Sequence, residues 1–304
     1  MKLIMESGAT KTECCLLDDA GGVCSRFRVA GINVAVTPPE EVSAAVEDAA
    51  SHMPGDVPGC REIVFYGAGI VESAGNPAPG KEVAAECLPS GLRHLDMCLH
   101  KAFPDAAVEY HSDLLAAARG LCGSHPGIVA ILGTGSNSCQ YDGVRIVRNI
   151  RPGGFILGDE GSASSLGRRF LADYVKGLLP EAVASDFMDR YGLDYRGVVK
   201  LVYGGGSPAR DMAALAPYIL GWKEDSHIYG MIEANFRDFI ERCLIRYDGS
   251  GSMDVHVTGS FGTACRDMLE SLGLEYGVRF AGFVPGPADG LAVYHASEVR
   301  NKRR

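Results

Sequence analysis

The chain has 304 residues, 46% of them hydrophobic, and its 38 acidic against 29 basic side chains leave a net charge of −9. That length suits one large or two medium domains, each with its own core. The acidic balance argues against broad binding to nucleic acid or to anionic membrane.

Met1–Met5 is too short for the apolar core of a signal peptide, and no run approaches a membrane span, so a cytoplasmic protein is expected. Ten scattered cysteines make no Cys-x-x-Cys pair and read as reduced, mostly buried small residues. Leu3–Met5 reads as a strand that meets Glu6-Ser-Gly-Ala-Thr-Lys-Thr12, a turn rich in small and hydroxyl residues. Strands follow at Cys14–Leu17 and, past the Asp18–Gly22 turn, at Val23–Val29. Val42, Ala45, Val46 and Ala49 share one face of a helix over about 40–52. Ile63–Tyr66 is a buried strand, 70–80 a loop, and Lys81–Phe103 helical with a break near Pro89. Val108–Tyr110 is a strand that delivers His111-Ser112-Asp113 to a helix over 114–121, with Asp113 placed to cap it.

Ile128–Leu132 is a second buried strand, ending in Gly133-Thr134-Gly135-Ser136. No helix follows, as it would in a P-loop or a dinucleotide-binding turn. The chain instead passes through Ser138–Tyr141 to an Asp142–Gly143 hairpin signal and a strand at Val144–Val147. Glycines there allow a tight bend, leaving N–H groups and the Thr134 and Ser136 hydroxyls for an anion. The layout repeats the strand, turn, strand opening of the chain, which suggests two related halves. Gly158-Asp159-Glu160-Gly161-Ser162 precedes a helix over 163–178; the two carboxylates can bind sugar hydroxyls or cap that helix. Residues 181–250 are mostly helical, Val255–Thr258 is a strand into Gly259-Ser260-Phe261-Gly262, and Val278–Phe283 is the last strand before a closing helix.

Glu6 is a carboxylate suited to Mg²⁺, directly or through water, and Thr10, Lys11 and backbone N–H groups suit phosphate oxygens. Asp113 at a strand end can serve as a general base toward a hydroxyl. Five segments, Glu6–Thr12, Gly31-Ile32-Asn33, Asp113–Ala118, Leu132–Asn137 and Gly158–Ser162, stand in the order and spacing of one group. The chain resembles the BadF/BadG/BcrA/BcrD-type ATPases, and among them the N-acetylglucosamine kinase-like branch of the actin-like ATPase and sugar kinase superfamily.

The resemblance implies an α/β fold of two actin-like (ribonuclease H-like) domains, with mixed sheets flanked by helices and a cleft between them. It implies domains at 1–114 and 115–290, with the helix over about 291–304 returning to the first. An ATP- and Mg²⁺-dependent kinase acting on a sugar hydroxyl is expected, the sugar being N-acetylglucosamine or a relative. Gly8, Ala9, Thr10, Lys11 and Thr12 would match the first phosphate motif, Gly133, Thr134, Gly135 and Ser136 the second, and Gly259 and Ser260 the adenosine motif. Asn33, Asp113, Gly133, Thr134, Asp159 and Glu160 would meet the sugar, Asp113 as the base, with Glu6 toward the metal. By the same analogy a homodimer is expected, with no nucleic-acid or membrane partner. The chain has Glu6 where many relatives have Asp, and Asp289–Ala292 matches the family's adenine end only loosely. The family's redox activators hold an iron–sulfur cluster on cysteines, and Gly158–Gly167 contains none. A sugar sensor without catalysis is a further alternative.

Overall fold

The computed structural model describes residues 1–8, 10–53, 59–70 and 89–301. It divides into two compact units, one of 1–125, 142–147 and 287–304, the other of 126–141 and 148–286. The expected boundary at 114 therefore falls inside the first turn of a helix that belongs to the first unit.

In the first unit β1 (Lys2–Ser7), β2 (Lys11–Leu17) and β3 (Val23–Ala30) form an antiparallel meander. β4 (Glu62–Gly67) and β5 (Ala107–Ser112) extend it in parallel on the other side of β1, giving the order β3-β2-β1-β4-β5. Alternation along β1 sends Leu3 and Met5 into a core with Ile63, Phe65 and two helices, α1 (Pro39–Ser51) and α2 (Ser90–Ala102). α1 begins with Pro39, whose missing N–H costs nothing at a first helical position, and buries Val42, Ala45, Val46 and Ala49 as the spacing requires. Cys87, the 70–80 loop beyond Ile70 and the helical spacing over 81–88 lie outside the described residues.

The opposite face of this sheet is covered by α3 (Asp113–Cys122) and by α13 (Ala288–Asn301), named for its place last among the helices. These two cross in backbone contact: a Cβ added to Gly290 would stand 1.8 Å from the Gly120 carbonyl oxygen. A chain of buried hydrogen bonds locks them to the sheet. Arg119 donates to the Tyr66 hydroxyl at 2.8 Å, and Tyr66 donates to Nε2 of His295 at 2.8 Å. His295 in turn donates from Nδ1 to Glu298 at 2.7 Å, and Lys2 lies 3.5 Å from the same carboxylate. Each acceptor in this chain has its donor, which is why a histidine can be buried here, while Arg119 keeps one buried donor, Nε, without a partner among the described residues.

The second unit repeats the plan. β6 (Gly127–Leu132), β7 (Ser136–Tyr141) and β8 (Ile146–Ile150) occupy one side, and β9 (Asp254–Thr258) and β10 (Arg279–Val284) extend β6 in parallel, in the order β10-β9-β6-β7-β8. Between them come the short α4 (Gly154–Leu157), α5 (Ala163–Val175), α6 (Glu181–Tyr191), α7 (Tyr195–Tyr203), α8 (Pro208–Ala213), α9 (Ala216–Gly221) and α10 (Ser226–Arg242). α11 (Ser260–Ala264) and α12 (Arg266–Tyr276) follow β9. The core joins Ile128, Ala130 and Leu132 to Phe170, Phe187, Phe236 and Phe239.

Three local expectations are corrected. The hairpin after β7 is not a two-residue turn: the Asp142 carboxylate accepts the N–H groups of Val144 and Arg145, so the turn runs to Arg145 and the strand starts at Ile146. α5 stops at Val175 because Gly177, with φ of 67°, turns the chain away. Ser112, not Asp113, caps α3, its hydroxyl accepting the Leu115 N–H at 3.1 Å. The nine described cysteines form no disulfide, seven of them are buried, and no described helix is long and apolar enough to cross a membrane.

Burial holds His295 neutral by lowering its pKa, so the unfolded chain takes up a proton near pH 6.5 that the folded one refuses. Burial opposes ionisation of Glu298, but the His295 hydrogen bond prevails and holds that carboxyl down to about 2. Both groups therefore withdraw stability as pH falls, first below 6.5 and then below 4.5. Tyr66→Phe, which strands Arg119 and His295 without their shared partner, is expected to cost about 1–3 kcal/mol in urea unfolding at pH 7.5. An unchanged midpoint would show that the chain of bonds contributes nothing.

Candidate active site

Parallel pairing brings the first group of residues to one sheet edge. Glu6, Tyr66 and His111 stand level on β1, β4 and β5, and Ser7, Gly67 and Ser112 stand level one residue further out. Asp113 then opens α3 at the edge where Glu6 and Ser7 end β1. Because Ser112 supplies the helix cap, the Asp113 side chain is not needed for it. Burial raises the Asp113 carboxyl above its ordinary range, opposed by hydrogen bonds from the Leu114 N–H and its own. Glu6 is pushed up to about 7, first by burial, then by the charges of Asp113 and Glu13, with Lys11 opposing.

The turn after β1 closes with a Gly8 N–H bond to the Lys11 carbonyl at 3.0 Å. Gly31 packs directly on it, where any Cβ would stand 2.6 Å from the Gly8 oxygen. Thr10 and Lys11 are exposed, and Ala9 lies outside the described residues. Lys11 Nζ is drawn to Glu13 at 2.6 Å, a carboxylate that also holds Arg28 at 2.8 Å. Thr12 differs from its exposed neighbours Thr10 and Lys11. It is fully buried, and its hydroxyl meets Ser7 Oγ at 2.6 Å and donates to the Ala30 carbonyl at 2.9 Å. The two hydroxyls staple the turn from within, since Ser7 also accepts the Ile32 N–H at 2.7 Å. Asn33 is half-buried, and its Oδ1 accepts the Ala35 N–H at 3.0 Å.

The second group stands at the corresponding edge of the second sheet. Gly133 donates to the Gly135 carbonyl at 3.0 Å, and the start of α5 grips the turn through Ala163 N–H to Gly133 and Ser164 N–H to Thr134, at 2.9 and 3.0 Å. Thr134 is exposed and Ser136 buried. Asp159 alone among described non-glycine residues has a positive φ, 55°, a conformation that costs on the order of 1 kcal/mol and is tolerated best by Asp, Asn and Gly. Its carboxylate faces the turn: a Cβ on Gly135 would lie 2.9 Å from Oδ2. Burial raises the Asp159 carboxyl to about 6, the Ser136 N–H bond opposes this, Glu160 adds to it, and the Gly154 N–H bond opposes it again. Glu160 is held by Arg242 at 2.6 Å, so its charge is met within the fold. Gly259, with φ of 114°, brings β9 so close that a Cβ would stand 2.3 Å from the Leu132 oxygen, and the exposed Ser260 begins α11 at the same edge.

Over 98% of its length, and 99% of the other's, the chain aligns with the crystal structure of a candidate N-acetylglucosamine kinase from Porphyromonas gingivalis, at 34% identity and a TM-score of 0.81. The chain belongs to the N-acetylglucosamine kinase-like branch of the actin-like ATPase superfamily. A second candidate N-acetylglucosamine kinase of that description, from Chromobacterium violaceum, shares the fold at 19% identity and a TM-score of 0.70, over 96% of this chain and 98% of the other. So does a ROK-family glucokinase from Streptomyces griseus solved with glucose and AMPPNP, at 17% identity and 0.56, over 99% of each chain. No protein-family model and no curated protein matches the chain.

The chain is thus a sugar-kinase-like protein of two actin-like units, and each unit gathers its own share of the family's motif residues. The residues that support them were not legible locally. Asn235, fully buried on α10, accepts the Gly161 N–H at 3.3 Å and donates to the Ser162 carbonyl at 3.1 Å, fixing the loop that carries Asp159. Arg242, Glu13 and Ser7 belong with it as supports.

Because the folded chain keeps a proton on Glu6 that the unfolded chain has released, stability without ligand is expected to fall as pH rises from 4.5 to about 7. Glu6→Gln removes that loss and should raise stability at pH 8 by on the order of 3 kcal/mol, with no gain at pH 4. Equal unfolding midpoints for the two proteins at pH 8 would show Glu6 to be well solvated.

Proposed function

We propose that the protein transfers the terminal phosphoryl group of ATP to a hydroxyl of N-acetylglucosamine or a related amino sugar. The observation that carries this reading is Asp113, a desolvated carboxylate on the first turn of a helix at the strand edge that also bears Glu6. A carboxylate whose pKa is raised toward neutrality binds a hydroxyl proton better than a solvated one. Asp113 accepts the proton of the sugar hydroxyl as its oxygen bonds to phosphorus, and the bond to the bridging oxygen breaks to release ADP. Little covalent chemistry falls to the protein in such a transfer; positioning and charge neutralisation supply most of the rate.

The other residues divide by what they can reach. Exposed Thr10 and Lys11, and the Gly133–Ser136 turn with exposed Thr134, suit phosphate oxygens; the close approach at Gly259–Ser260 suits a nucleoside. Asp159, with Asn33 and Asp113, suits sugar hydroxyls, for which carboxylates are strong acceptors. Among these, Lys11 would exchange Glu13 for phosphate while Arg28 stays on Glu13.

Magnesium fits the first unit. The ion takes few protein ligands, commonly one or two carboxylates, and otherwise phosphates and water. Glu6, whose ionisation is opposed by burial and by Asp113, is a carboxylate that gains from a cation. Glu6 would hold it directly or through water, and when bound it offsets phosphate charge.

Asp113→Asn is expected to lower sugar-dependent ADP release by about 10²–10⁴-fold while sparing sugar binding. A coupled ADP assay across amino sugars and hexoses, with Mg²⁺ and ATP, measures both specificity and this loss. Turnover near wild type in the variant would remove Asp113 as the base. ATP hydrolysis indifferent to every sugar would sink the kinase reading itself.

A further inference from the structure

Helices α1 and α2 meet at a cluster that the proposed kinase chemistry does not use. His94 and Cys98 stand about one turn apart on α2, and both meet Ser43 on α1. Nε2 of His94 lies 3.6 Å from Sγ of Cys98. Oγ of Ser43 lies 3.3 Å from that nitrogen and 3.4 Å from that sulfur. The Pro39 carbonyl oxygen, on the first turn of α1, is 3.0 Å from both Nε2 and Oγ. Four donor atoms are thus gathered, with five of their mutual separations between 3.0 and 3.6 Å.

There are too few hydrogens for all of these contacts to be hydrogen bonds. A carbonyl only accepts, so His94 Nε2 and the Ser43 hydroxyl each direct their hydrogen at Pro39. The Cys98 thiol then holds the one hydrogen left for the three contacts among nitrogen, sulfur and hydroxyl oxygen. Lone pairs face one another there, and a cation at their centre relieves what hydrogen bonding does not.

The separations and the donor types identify the class of cation. Tetrahedral zinc, with bonds of about 2.0–2.3 Å, sets its ligand atoms about 3.3–3.6 Å apart. The three contacts without the carbonyl fall in that range. The two at 3.0 Å are the present hydrogen bonds to Pro39, which lengthen when an ion replaces them. A thiolate beside an imidazole favours zinc over Mg²⁺. Among the described residues, no three of His, Cys, Asp and Glu gather in a metal-binding group. Two strong ligands therefore act here, and the affinity is modest. His94 and Cys98 are both half-buried, within reach of an ion from solvent.

We propose that His94 and Cys98 bind a zinc ion between α1 and α2, with the Ser43 hydroxyl and the Pro39 carbonyl at the two remaining corners. On binding, the Cys98 thiol gives its proton to solvent and its sulfur bonds to the ion. The His94 hydrogen passes through water from Nε2 to Nδ1, which frees Nε2 for the ion. One proton is released for each ion bound. The site lies wholly in the first unit, shares no residue with the proposed kinase machinery, and stands or falls independently of it.

The test titrates the full chain, in excess Mg²⁺, with Co²⁺ as a spectroscopic probe and then with Zn²⁺. The wild type is expected to show the thiolate-to-cobalt absorption of a cysteine-bound ion at about 100 µM Co²⁺, and to lose it as Zn²⁺ displaces the cobalt. Calorimetry of Zn²⁺ in two buffers of different ionisation enthalpy is expected to give about one proton released per ion. Cys98→Ala should abolish the thiolate absorption, and His94→Ala should weaken Zn²⁺ binding at least about tenfold. Both variants put a better helix former on α2, so the fold and the basal turnover are expected to be kept. Absence of the absorption in the wild type up to about 1 mM Co²⁺ would overturn the proposal. So would absorption that survives in Cys98→Ala, which would place the ion on another thiol. Unchanged Zn²⁺ affinity in His94→Ala would overturn it too, since Cys98 would then act without its partner.

Discussion

The parallel pairing of β1 with β4, and of β4 with β5, is the constraint on which the first unit's chemistry depends. Side chains alternate along a strand, so a one-residue slip would exchange the two faces of β1. With the register observed, Leu3 and Met5 enter the core and Glu6 faces the side where Asp113 begins its helix. The second unit obeys the same rule at β6 and β9, where Ile131 stands level with Thr258, so that Gly133 and Ser260 emerge together. Both sheets thus end a parallel edge in a small-residue turn, and in both a helix begins at that edge.

Those turns gather charge that the fold does not fully neutralise. Glu6, Asp113 and Asp159 are each carboxylates for which burial is the largest influence and favours the proton. Nearby cations go elsewhere: Lys11 and Arg28 to Glu13, Arg242 to Glu160. Burying ionisable groups without a counter-charge costs stability, and a protein that keeps such groups at a strand edge carries there the kind of perturbed acidity found at functional sites. The supports around them are, by contrast, fully paired. Ser7 and Thr12 close the first turn, and Asn235 closes the loop of Asp159.

Much of this was readable in one dimension. The strands around Leu3, Cys14, Ile63, Ile128 and Val255, the helix of Val42 and Val46, and the glycine turns all follow from apolar periodicity and turn chemistry, which act over a few residues. Failures came where a side chain had a choice of partner. Asp142 extended its turn by accepting two N–H groups, and Ser112 took the cap that Asp113 also could have filled. Thr12 looked like its exposed neighbours Thr10 and Lys11, yet strand alternation turned it inward.

The sequence by itself determined the repeated strand and turn plan, the glycines at each bend and the carboxylates beside them, because these rest on local sterics and spacing. Only the tertiary structure decided which carboxylates are buried without a counter-charge. Arg242 reaches Glu160 from 82 residues away in the chain, and His295 reaches Tyr66 across 229. Desolvation, likewise, is a property of everything packed around a group. Such pairings and burials depend on which segments meet, and no local pattern encodes that.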